Sequence, residues 1–372
     1  MTRSLPPIER AELRLVRLPL INPFTISTGT MTERVFPLVT LSAGGLEGYA
    51  EGVMDPLPDF LEETIAGAMD LIGETILPSM MGRSFDNPAA VERLLFPWRG
   101  NRMALATVEM AFWDLWAKWL DLPLGRLIGG AGEAVDVGVS LGIGPIDGTL
   151  ARVESHVAQG YKRIKLKIMP GHDIELLEAV RRAFPDIKLS VDANSAYRLS
   201  DWAVLGRLDD FHLEYVEQPL AHDDIADHAL LQRRLRTPVC LDESIRSAGH
   251  ARRALQADAT RVINIKVGRV GGIAEAIRVH DIAAAFDVPV WCGGMLESGV
   301  GRAHNIHLST LPNFRKPGDT SSASRYFHRD IIVEKLETTD GRMPVPDGSG
   351  IGVHLDRDAL DDVTRSVRSF SA

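Results

Sequence analysis

Five charged residues recur at an almost constant spacing through the second half of the chain. They are separated by 25, 25, 25 and 24 residues, and each closes a short apolar run: Lys167, Asp192, Glu217, Asp242 and Lys266. One strand, one helix and their connections take roughly 25 to 30 residues in a barrel of alternating strands and helices. The spacing therefore predicts that each residue ends its own strand at the mouth of a barrel, where barrel enzymes keep their active sites.

The sequence around these residues alternates between strand-like and helix-like patterns. Between about Val135 and about Leu311, segments such as DIELLEAVRRAF and GGIAEAIRVHDIAAAF have apolar residues at helical spacing. Seven apolar runs indicate strands: VDVGVSLGI, RIKLKI, KLSVDAN, HLEYVEQP, TPVCLDES, RVINIKVG and VPVWCGGML. Such alternation implies parallel pairing. With an eighth, less defined strand after Gly301, the predicted fold is α/β, a (β/α)-barrel of the modified TIM type.

The chain on either side of this region has a different pattern. The runs AELRLVRLPL, VFPLVTL and EGYAEGV indicate strands, and a long helical pattern, ALATVEMAFWDLWAKWL, follows them. The run GGAGE at 129–133 is typical of a domain junction. We expect an α+β capping domain over residues 1–132 and the barrel over 133–322. The tail, 323–372, has one further strand candidate, DIIVEKLE, and is expected to return to the capping domain.

Length and charge limit the class of protein. A chain of 372 residues is long enough for about two domains. Its net charge of −9 argues against binding to nucleic acid or to an anionic membrane, because both need clustered basic residues. No apolar run approaches the roughly 18 residues of a membrane span, and the start, MTRSLPPIERAEL, is too polar for a signal peptide. Cys240 and Cys292 both lie in apolar segments, which does not suit a disulfide framework. We expect a cytoplasmic enzyme that acts on a small molecule as a homo-oligomer.

The use of lysine singles out three positions. Only 8 of the 41 basic residues are lysines, yet Lys165, Lys167 and Lys266 lie in apolar runs. The alternative is that they are lysines at the edge of the surface. Lysine, unlike arginine, can lose its proton when it is desolvated. These three lysines are therefore candidates for acid/base chemistry.

Their placement suggests how they could work together. Lys165 and Lys167 are two apart on a strand, so both side chains face the same way, here into the barrel. Lys266 comes four strands later, almost across the mouth. Proximity of like charges and desolvation lower a lysine pKa from about 10.4, which would make Lys167 a usable general base. Two opposed lysines could take a proton from one face of a carbon and return it to the other.

The three acids suit a hard divalent cation. Asp192, Glu217 and Asp242 lie on neighbouring strands, and Mg²⁺ prefers such oxygen ligands; Mn²⁺ could replace it. Glu243 follows Asp242 directly and is an alternative ligand, although the period favours Asp242. The competing interpretation is a structural ring of salt bridges. Buried ion pairs stabilise poorly relative to apolar packing, so we favour the metal site.

Histidine occupies none of the five periodic positions, which counts against zinc. His304 and His307 are spaced like a pair of ligands, but no third ligand lies nearby in the sequence. A packing role is therefore favoured for both.

Five motifs at the strand ends resemble those of a known family. IKLKI, VDAN, VEQP, LDES and INIKVGRVGG, in this order, resemble the muconate-lactonizing subgroup of the enolase superfamily. The similarity is greater to the N-succinylamino acid racemase and o-succinylbenzoate synthase family. WCGGMLESGVGRAHN at 291–305 and PGDTSSASRYF at 317–327 resemble its barrel-end motifs, and the 21–30 loop, INPFTISTGT, is also similar. The resemblance extends over essentially the whole chain.

The resemblance implies a function for each matching residue. It implies Mg²⁺ ligands at Asp192, Glu217 and Asp242, and an acid/base pair at Lys167 and Lys266. It also implies substrate-pocket or supporting positions: Ser140, Lys165, Asn194, Arg269, Gly294 and Met295. The expected reactions are racemisation of N-succinylamino acids and dehydration of a cyclohexadiene precursor of menaquinone. Both begin with removal of a proton next to a carboxylate.

One of these residues and one loop bear on specificity. Arg269 resembles a mark of the racemase-type members, although it could instead be a surface cation. Family members usually have an aromatic-containing stretch where this chain has DPLPDF at 55–60, with Pro58 in place of the expected tyrosine. Because that loop is expected to close over the distal end of the substrate, the substitution bears on substrate choice.

Other functions fit the sequence less well. A dipeptide epimerase usually has Asp-x-Asp after the seventh strand, where this chain has Glu297, Ser298 and Gly299. A muconate cycloisomerase is the other alternative within the subgroup, and a mandelate-type enzyme needs a late histidine base that does not fit here. A non-catalytic metal-binding scaffold should have lost at least one of the five periodic residues, and all five are present.

Overall fold

The computed structural model describes residues 5–27, 29–95 and 97–372. Residues 1–4, Thr28 in the 21–30 loop and Phe96 lie outside the described residues. The strands are β1 (Arg10–Ile26), β2 (Gly29–Ala43), β3 (Leu46–Glu51), β4 (Ala134–Asp136), β5 (Val139–Leu141), β6 (Ile164–Lys167), β7 (Leu189–Asp192), β8 (Val216–Glu217), β9 (Val239–Leu241), β10 (Val262–Ile265), β11 (Val290–Cys292), β12 (Arg342–Pro344) and β13 (Thr364–Ser371). The α-helices are α1 (Ile65–Leu71), α2 (Leu77–Met80), α3 (Pro88–Leu95), α4 (Arg102–Trp119), α5 (Leu124–Leu127), α6 (Ile146–Ala158), α7 (Ile174–Ala183), α8 (Trp202–Leu205), α9 (Ala226–Arg234), α10 (Ala248–Gln256), α11 (Val267–Val270), α12 (Ile273–Ala285), α13 (Gly299–Leu308) and α14 (Arg357–Val363).

The larger sheet confirms the seven predicted parallel strands. Within the described residues, β5 to β11 pair in chain order, each parallel to the next. β6, with the sequence IKLK, is buried along its whole length. The register sets Lys167 beside Asp192 and Asp192 beside Glu217. The regular spacing in the sequence therefore becomes a row of polar side chains at one edge of the sheet.

The sheet curls so that β6, next to one end of the sheet, approaches β11 at the other end. Lys165 Nζ on β6 lies 4.5 Å from the ring centroid of Trp291 on β11. The eighth strand expected after Gly301 is not a regular strand, because residues 299–308 form α13, which Ser298 caps by accepting from the N–H of Val300. Residues 316–319 lie between the two ends instead. The N–H of Asp319 donates to Cys292 O at 2.8 Å, and the N–H of Gly138 donates to Gly318 O at 2.8 Å.

A separate antiparallel sheet joins the two ends of the chain. Its order is β13-β1-β2-β3, and Arg10 on β1 pairs with Ser371 on β13. The prediction of a strand at DIIVEKLE was wrong. Ile331 and Ile332 are neighbours and both are buried, so the segment lacks the alternation of a strand, and Ile332 forms only an isolated bridge.

Helix α4 connects the antiparallel sheet to the curled one. It packs on β2 and β3 and carries two buried carboxylates. Glu109 accepts the N–H groups of Ile273 and Ala274 at the start of α12. Asp114 accepts the N–H of Tyr49 on β3. No helix in the described part of the chain is long and apolar enough to cross a membrane.

Candidate active site

Lys165 and Lys167 face the same way, as their spacing predicted. Both are buried, and both contact the same carboxylate oxygen. Lys167 Nζ lies 2.6 Å from Asp192 Oδ2, and Lys165 Nζ lies 3.6 Å from it. Lys165 Nζ also donates to Glu217 Oε2 at 2.8 Å. The second lysine of β6 thus lies nearer the open end of the sheet, and the first lies deeper.

Lys266 approaches from the other side of the curled sheet. It follows β10 directly, and its Nζ donates to Asp242 Oδ2 at 2.9 Å. Lys167 and Lys266 both line a small space that we call the central cavity. Its other lining residues include Ser140, Lys165, Asp192, Gly294, Glu297 and Asp319. The two candidate acid/base groups therefore reach one space from strands that lie four apart in the sheet.

The three acids on β7, β8 and β9 lie in one buried cluster. Burial opposes ionisation of Asp192, but Lys167 and Lys165 lower its pKa to about 2. Burial, with repulsion from Asp192, raises the pKa of Glu217. Asn264 Nδ2 donates to Glu217 Oε1 at 2.7 Å, which orients that carboxylate. Neighbouring strands therefore hold the carboxylates close enough for one charge to affect the next.

This cluster has the donor chemistry that a hard divalent cation needs. No set of three or more His, Cys, Asp or Glu side chains within the described ranges is arranged as a formed metal site. The carboxylates are not arranged as a formed metal site because they are paired with lysine ammonium groups. Two observations fit a cation. The repulsion that raises the pKa of Glu217 is what a divalent charge would relieve, and Glu243 Oε2 is buried without a hydrogen-bond partner.

Lys165 does not have the lowered pKa that the sequence suggested. Burial alone would lower it, but Asp319, Glu217 and Asp192 together raise the pKa of Lys165 well above its usual value. Asp319 Oδ2 lies 2.8 Å from Lys165 Nζ. The prediction was wrong for Lys165 because Asp319, which is distant in the sequence, adds a third negative charge.

Arg269 is buried and does not lie at the surface. Its Nε donates to Ile245 O at 3.0 Å and its Nη2 to Asn264 O at 2.6 Å. Its Nη1 forms an ion pair with Asp242, and burial lowers the pKa of the guanidinium to about 9. Arg269 therefore lies behind Asp242, on the side away from the cavities, where it can orient Asp242 without touching a substrate.

The remaining predicted pocket residues lie around the two lysines. Ser140 lines the central cavity. Asn194 Oδ1 accepts from Lys167 Nζ at 2.6 Å. Asn194, Gly294 and Met295 line a second space of about 370 Å³, the outer cavity, together with Lys167 and Lys266. The sequence thus identified residues from five different strand ends that the fold brings together.

The antiparallel sheet and the 55–60 loop that follows it also line the outer cavity. Phe24, Leu57 and Phe60 line it opposite the barrel residues. Lys266 Nζ lies 4.7 Å from the ring centroid of Phe60, within the range of a cation–π contact. The 55–60 loop therefore does present an aromatic ring to the site, from Phe60 and not from the position of Pro58.

Comparison with known proteins agrees with this geometry. A family model described as "Enolase C-terminal domain-like" matches residues 148–359. A second model, "Mandelate racemase / muconate lactonizing enzyme, N-terminal domain", matches residues 10–129. This chain belongs to the mandelate racemase / muconate lactonizing enzyme family. The resemblance to the enolase superfamily is thereby confirmed.

Individual relatives show which enzymes of this family the chain is similar to. An N-succinylamino acid racemase from Thermus thermophilus is 56% identical over 366 residues, which cover 98% of this chain and 99% of the relative. An o-succinylbenzoate synthase from Bacillus subtilis is 42% identical, with 98% of each chain covered. A crystal structure of an enolase-superfamily member from Listeria innocua superposes with a TM-score of 0.95 at 42% identity, covering 98% of this chain and 99% of that one.

Several cavity residues of this family member were not assigned from the sequence. Asp319, Glu297, Arg302 and Tyr326 all line the central cavity. Glu297 Oε2 accepts from the N–H of Met295 at 2.8 Å, which holds the predicted pocket residue in place. All four lie inside the two barrel-end motifs at 291–305 and 317–327. The two motifs were therefore the sequence signal for these four cavity residues. No regular spacing within the motifs identified which single residues would line the cavity.

His304 and His307 pack inside the protein, as favoured from the sequence. The ring of His304 contacts the carbonyl oxygens of Val300 and Met110. His307 Nδ1 accepts from the N–H of Gly125 at 3.0 Å. Burial lowers the pKa of both, to about 4 for His307, so both rings are neutral near pH 7. They are not the late histidine base of a mandelate-type member of the family.

Proposed function

We propose that this enzyme racemises N-succinylamino acids and also acts as an o-succinylbenzoate synthase at the same site. One observation carries the proposal: Lys167 on β6 and Lys266 at the end of β10, four strands apart in the curled sheet, line a single cavity. Racemisation needs a proton donor and a proton acceptor on opposite faces of one carbon. The names of the relatives from Thermus thermophilus and Bacillus subtilis support the choice of substrates.

The acids would hold the cation that such a reaction needs. We assign Asp192, Glu217 and Asp242 as ligands of Mg²⁺, for which Mn²⁺ can substitute, with Glu243 behind them. When bound, the ion supplies positive charge that stabilises the negative charge developing on the substrate carboxylate. Asn194 bonds both Lys167 and Glu243, and so keeps the base at a fixed position beside the acids.

The two reactions share their first step and differ afterwards. Lys167 or Lys266 removes the proton next to the carboxylate. In racemisation, the opposite lysine then delivers a proton to the other face. In the synthase reaction, a β-hydroxyl leaves instead, so one lysine can suffice as base while the other stabilises charge. The same side chains can therefore serve both reactions.

The proposal also covers the domain architecture, the cellular compartment and the oligomeric state of the enzyme. The curled sheet with residues 316–319 would form a modified TIM barrel, 133–322, under a capping domain made of residues 1–132 and the tail, 323–372. The thiols of Cys240 and Cys292 are buried and free, as suits the reducing cytoplasm. A small-molecule carboxylate is the proposed partner, and the enzyme is proposed to act as a homo-oligomer.

Isotope exchange tests the two opposed lysines. In deuterated water, Lys266→Ala should still exchange the α-proton of the enantiomer that Lys167 serves, without racemising it. Lys167→Ala should exchange only the other enantiomer. Proton NMR of each pure enantiomer of N-succinylphenylalanine measures both rates, and polarimetry measures racemisation.

The same experiment can contradict the proposal. Equal residual exchange of both enantiomers in either variant would show that the lysines do not serve opposite faces. No turnover of any succinylated substrate by the wild-type enzyme, with clear turnover of dipeptides, would favour an epimerase of the same family.

A further inference from the structure

A second cleft opens beside the central cavity and is lined by basic side chains. It has a volume of about 470 Å³, and we call it the basic cleft. Its lining includes Arg152, His156 and Arg325. Phe24, Ser140 and Tyr326 line both this cleft and the central cavity. The two spaces therefore share a wall, and a ligand held between the lysines can extend into the cleft.

The two arginines of the basic cleft have no acidic partner. Arg152 Nη2 donates to Gly142 O at 3.2 Å and to Thr149 Oγ1 at 3.0 Å, which fixes the guanidinium in place. Arg325 Nη1 donates to Ser321 Oγ at 2.9 Å. Within the described part of the chain, neither arginine forms an ion pair, and no Asp or Glu lines the cleft. Two oriented positive charges therefore face the cleft without a counter-charge.

Neighbouring polar atoms also lack partners. Ser140 Oγ and His156 Nδ1 are buried and make no hydrogen bond among the described residues. Buried polar groups normally have a partner, so such atoms beside a cavity mark places where a ligand atom can bind. The basic cleft thus has unneutralised cations at its far end and a free hydroxyl at its junction with the central cavity.

The outer cavity differs in chemistry from the basic cleft. Ile26, Met31, Leu57 and Met295 give it apolar walls. Both spaces adjoin the central cavity, and among the described residues they share Phe24 alone in their linings. A substrate carbon held between Lys167 and Lys266 can therefore extend one apolar arm and one anionic arm into different spaces.

We propose that Arg152 and Arg325 bind the distal carboxylate of the substrate's acyl chain. Ser140 Oγ then donates to the acyl carbonyl at the junction, and the amino-acid side chain occupies the outer cavity. Guanidinium groups bind carboxylates strongly because they offer paired N–H donors in one plane. This inference rests on the proposed function and extends it: the enzyme should select N-acyl groups that end in a carboxylate and accept varied hydrophobic side chains.

Equilibrium binding tests this without catalysis. N-succinylglycine has no stereocentre to racemise, so its affinity can be measured by calorimetry with the wild-type enzyme in excess Mg²⁺. The comparison ligand is the same molecule with its distal carboxylate converted to a primary amide. The amide should bind at least about tenfold more weakly, since it loses a charge-assisted hydrogen bond to the guanidinium groups.

Variants then assign the effect to the arginines. Arg152→Gln and Arg325→Gln should each weaken binding of N-succinylglycine by about tenfold while leaving the affinity for the amide unchanged, and Arg→Lys should restore part of the loss. Arg207→Gln is the matched control, because Arg207 is an exposed arginine outside all three spaces. Circular dichroism and thermal melting check that each variant is folded.

The outcomes separate this inference from the proposed function. Equal affinity of the wild-type enzyme for acid and amide, or no binding of N-succinylglycine, would overturn the inference even if both arginine variants failed to fold. Equal loss of acid and amide binding in the variants would overturn it as well. If the acid binds selectively through the arginines but N-succinylphenylalanine is not racemised, the cleft assignment stands and the proposed reaction fails.

Discussion

Two buried carboxylate–lysine pairs in this protein have almost the same geometry and very different surroundings. Lys167 Nζ lies 2.6 Å from Asp192 at the mouth of the curled sheet, and Lys118 Nζ lies 2.7 Å from Asp114 on α4. Asp114 and Lys118 line none of the cavities described above, whereas Asp192 and Lys167 face the central cavity. The distance between the charges therefore does not distinguish a structural pair from a reactive one.

Their other partners do distinguish them. Asp114 Oδ2 also accepts the N–H of Tyr49 at 2.9 Å, and its Oδ1 accepts the N–H of Ile351 at 2.8 Å. Lys118 also donates to Glu47 O and lies over the Tyr49 ring at 3.7 Å from its centroid. Three backbone groups thus satisfy the α4 pair, two from β3 and one from the segment at Ile351. The Asp192 pair instead adjoins two more lysines and two more acids, a cluster that can rearrange around a ligand.

Removal of divalent metal should give the largest difference between the two pairs, because only the Asp192 pair belongs to the proposed metal site. In excess chelator, turnover should fall to background, and added Mg²⁺ or Mn²⁺ should restore it, because the substrate carboxylate would lose its charge stabilisation. Steady-state kinetics before and after metal addition measure this. Full activity in chelator, with metal analysis showing none bound, would remove the basis for treating the Asp192 cluster as a metal site.

Substitution at Asp192 should affect activity far more than stability. We expect Asp192→Asn to lower kcat/KM by about three orders of magnitude, as loss of about 4 kcal/mol of transition-state stabilisation would. The folded enzyme should keep its melting temperature within a few degrees. Asp186→Asn, an exposed neighbour on the loop before β7, is the control. If Asp192→Asn unfolds, Asp192 has a structural role like that of Asp114, and its assignment as a reactive group is contradicted.

Substitution at Asp114 should have the opposite effect. Asp114→Asn sets an amide N–H₂ against N–H donors and leaves Lys118 without its counter-charge. Breaking a buried pair in this way costs roughly 3 kcal/mol, which urea unfolding monitored by circular dichroism would measure. The variant should keep near-normal kcat where it is folded. A large fall in kcat without loss of stability would contradict the division between the two pairs.

Arg269 offers the smallest and most selective effect. It orients Asp242, which also bonds Lys266, so Arg269→Gln should alter proton transfer through Lys266. We expect racemisation to fall about tenfold, a change of about 1.4 kcal/mol, and the synthase reaction to fall less because it needs only one base. The ratio of the two rates is the measurement, with Arg269→Lys as the charge-retaining control. Equal losses in both reactions would indicate a purely structural role.

The sequence by itself determined the repeating part of the molecule. Short-range patterns carry that information: apolar runs followed by helical stripes predicted β5 to β11, and a spacing of 24 or 25 residues identified the polar end of each strand from Lys167 to Lys266. A repeated βα unit puts equivalent residues in equivalent places. For this reason the spacing alone grouped five side chains that the structure brings to one cluster.

Only the tertiary structure decided which charges meet from unrelated parts of the chain. Asp319 reverses the expected pKa shift of Lys165, Arg269 lies behind Asp242, and residues 316–319 lie between the ends of the sheet. Arg152 and Arg325 meet in one cleft although 173 residues separate them (325 − 152). None of these contacts follows a period in the sequence. They depend on how far the sheet curls and on where the connecting segments cross it, which long-range packing determines.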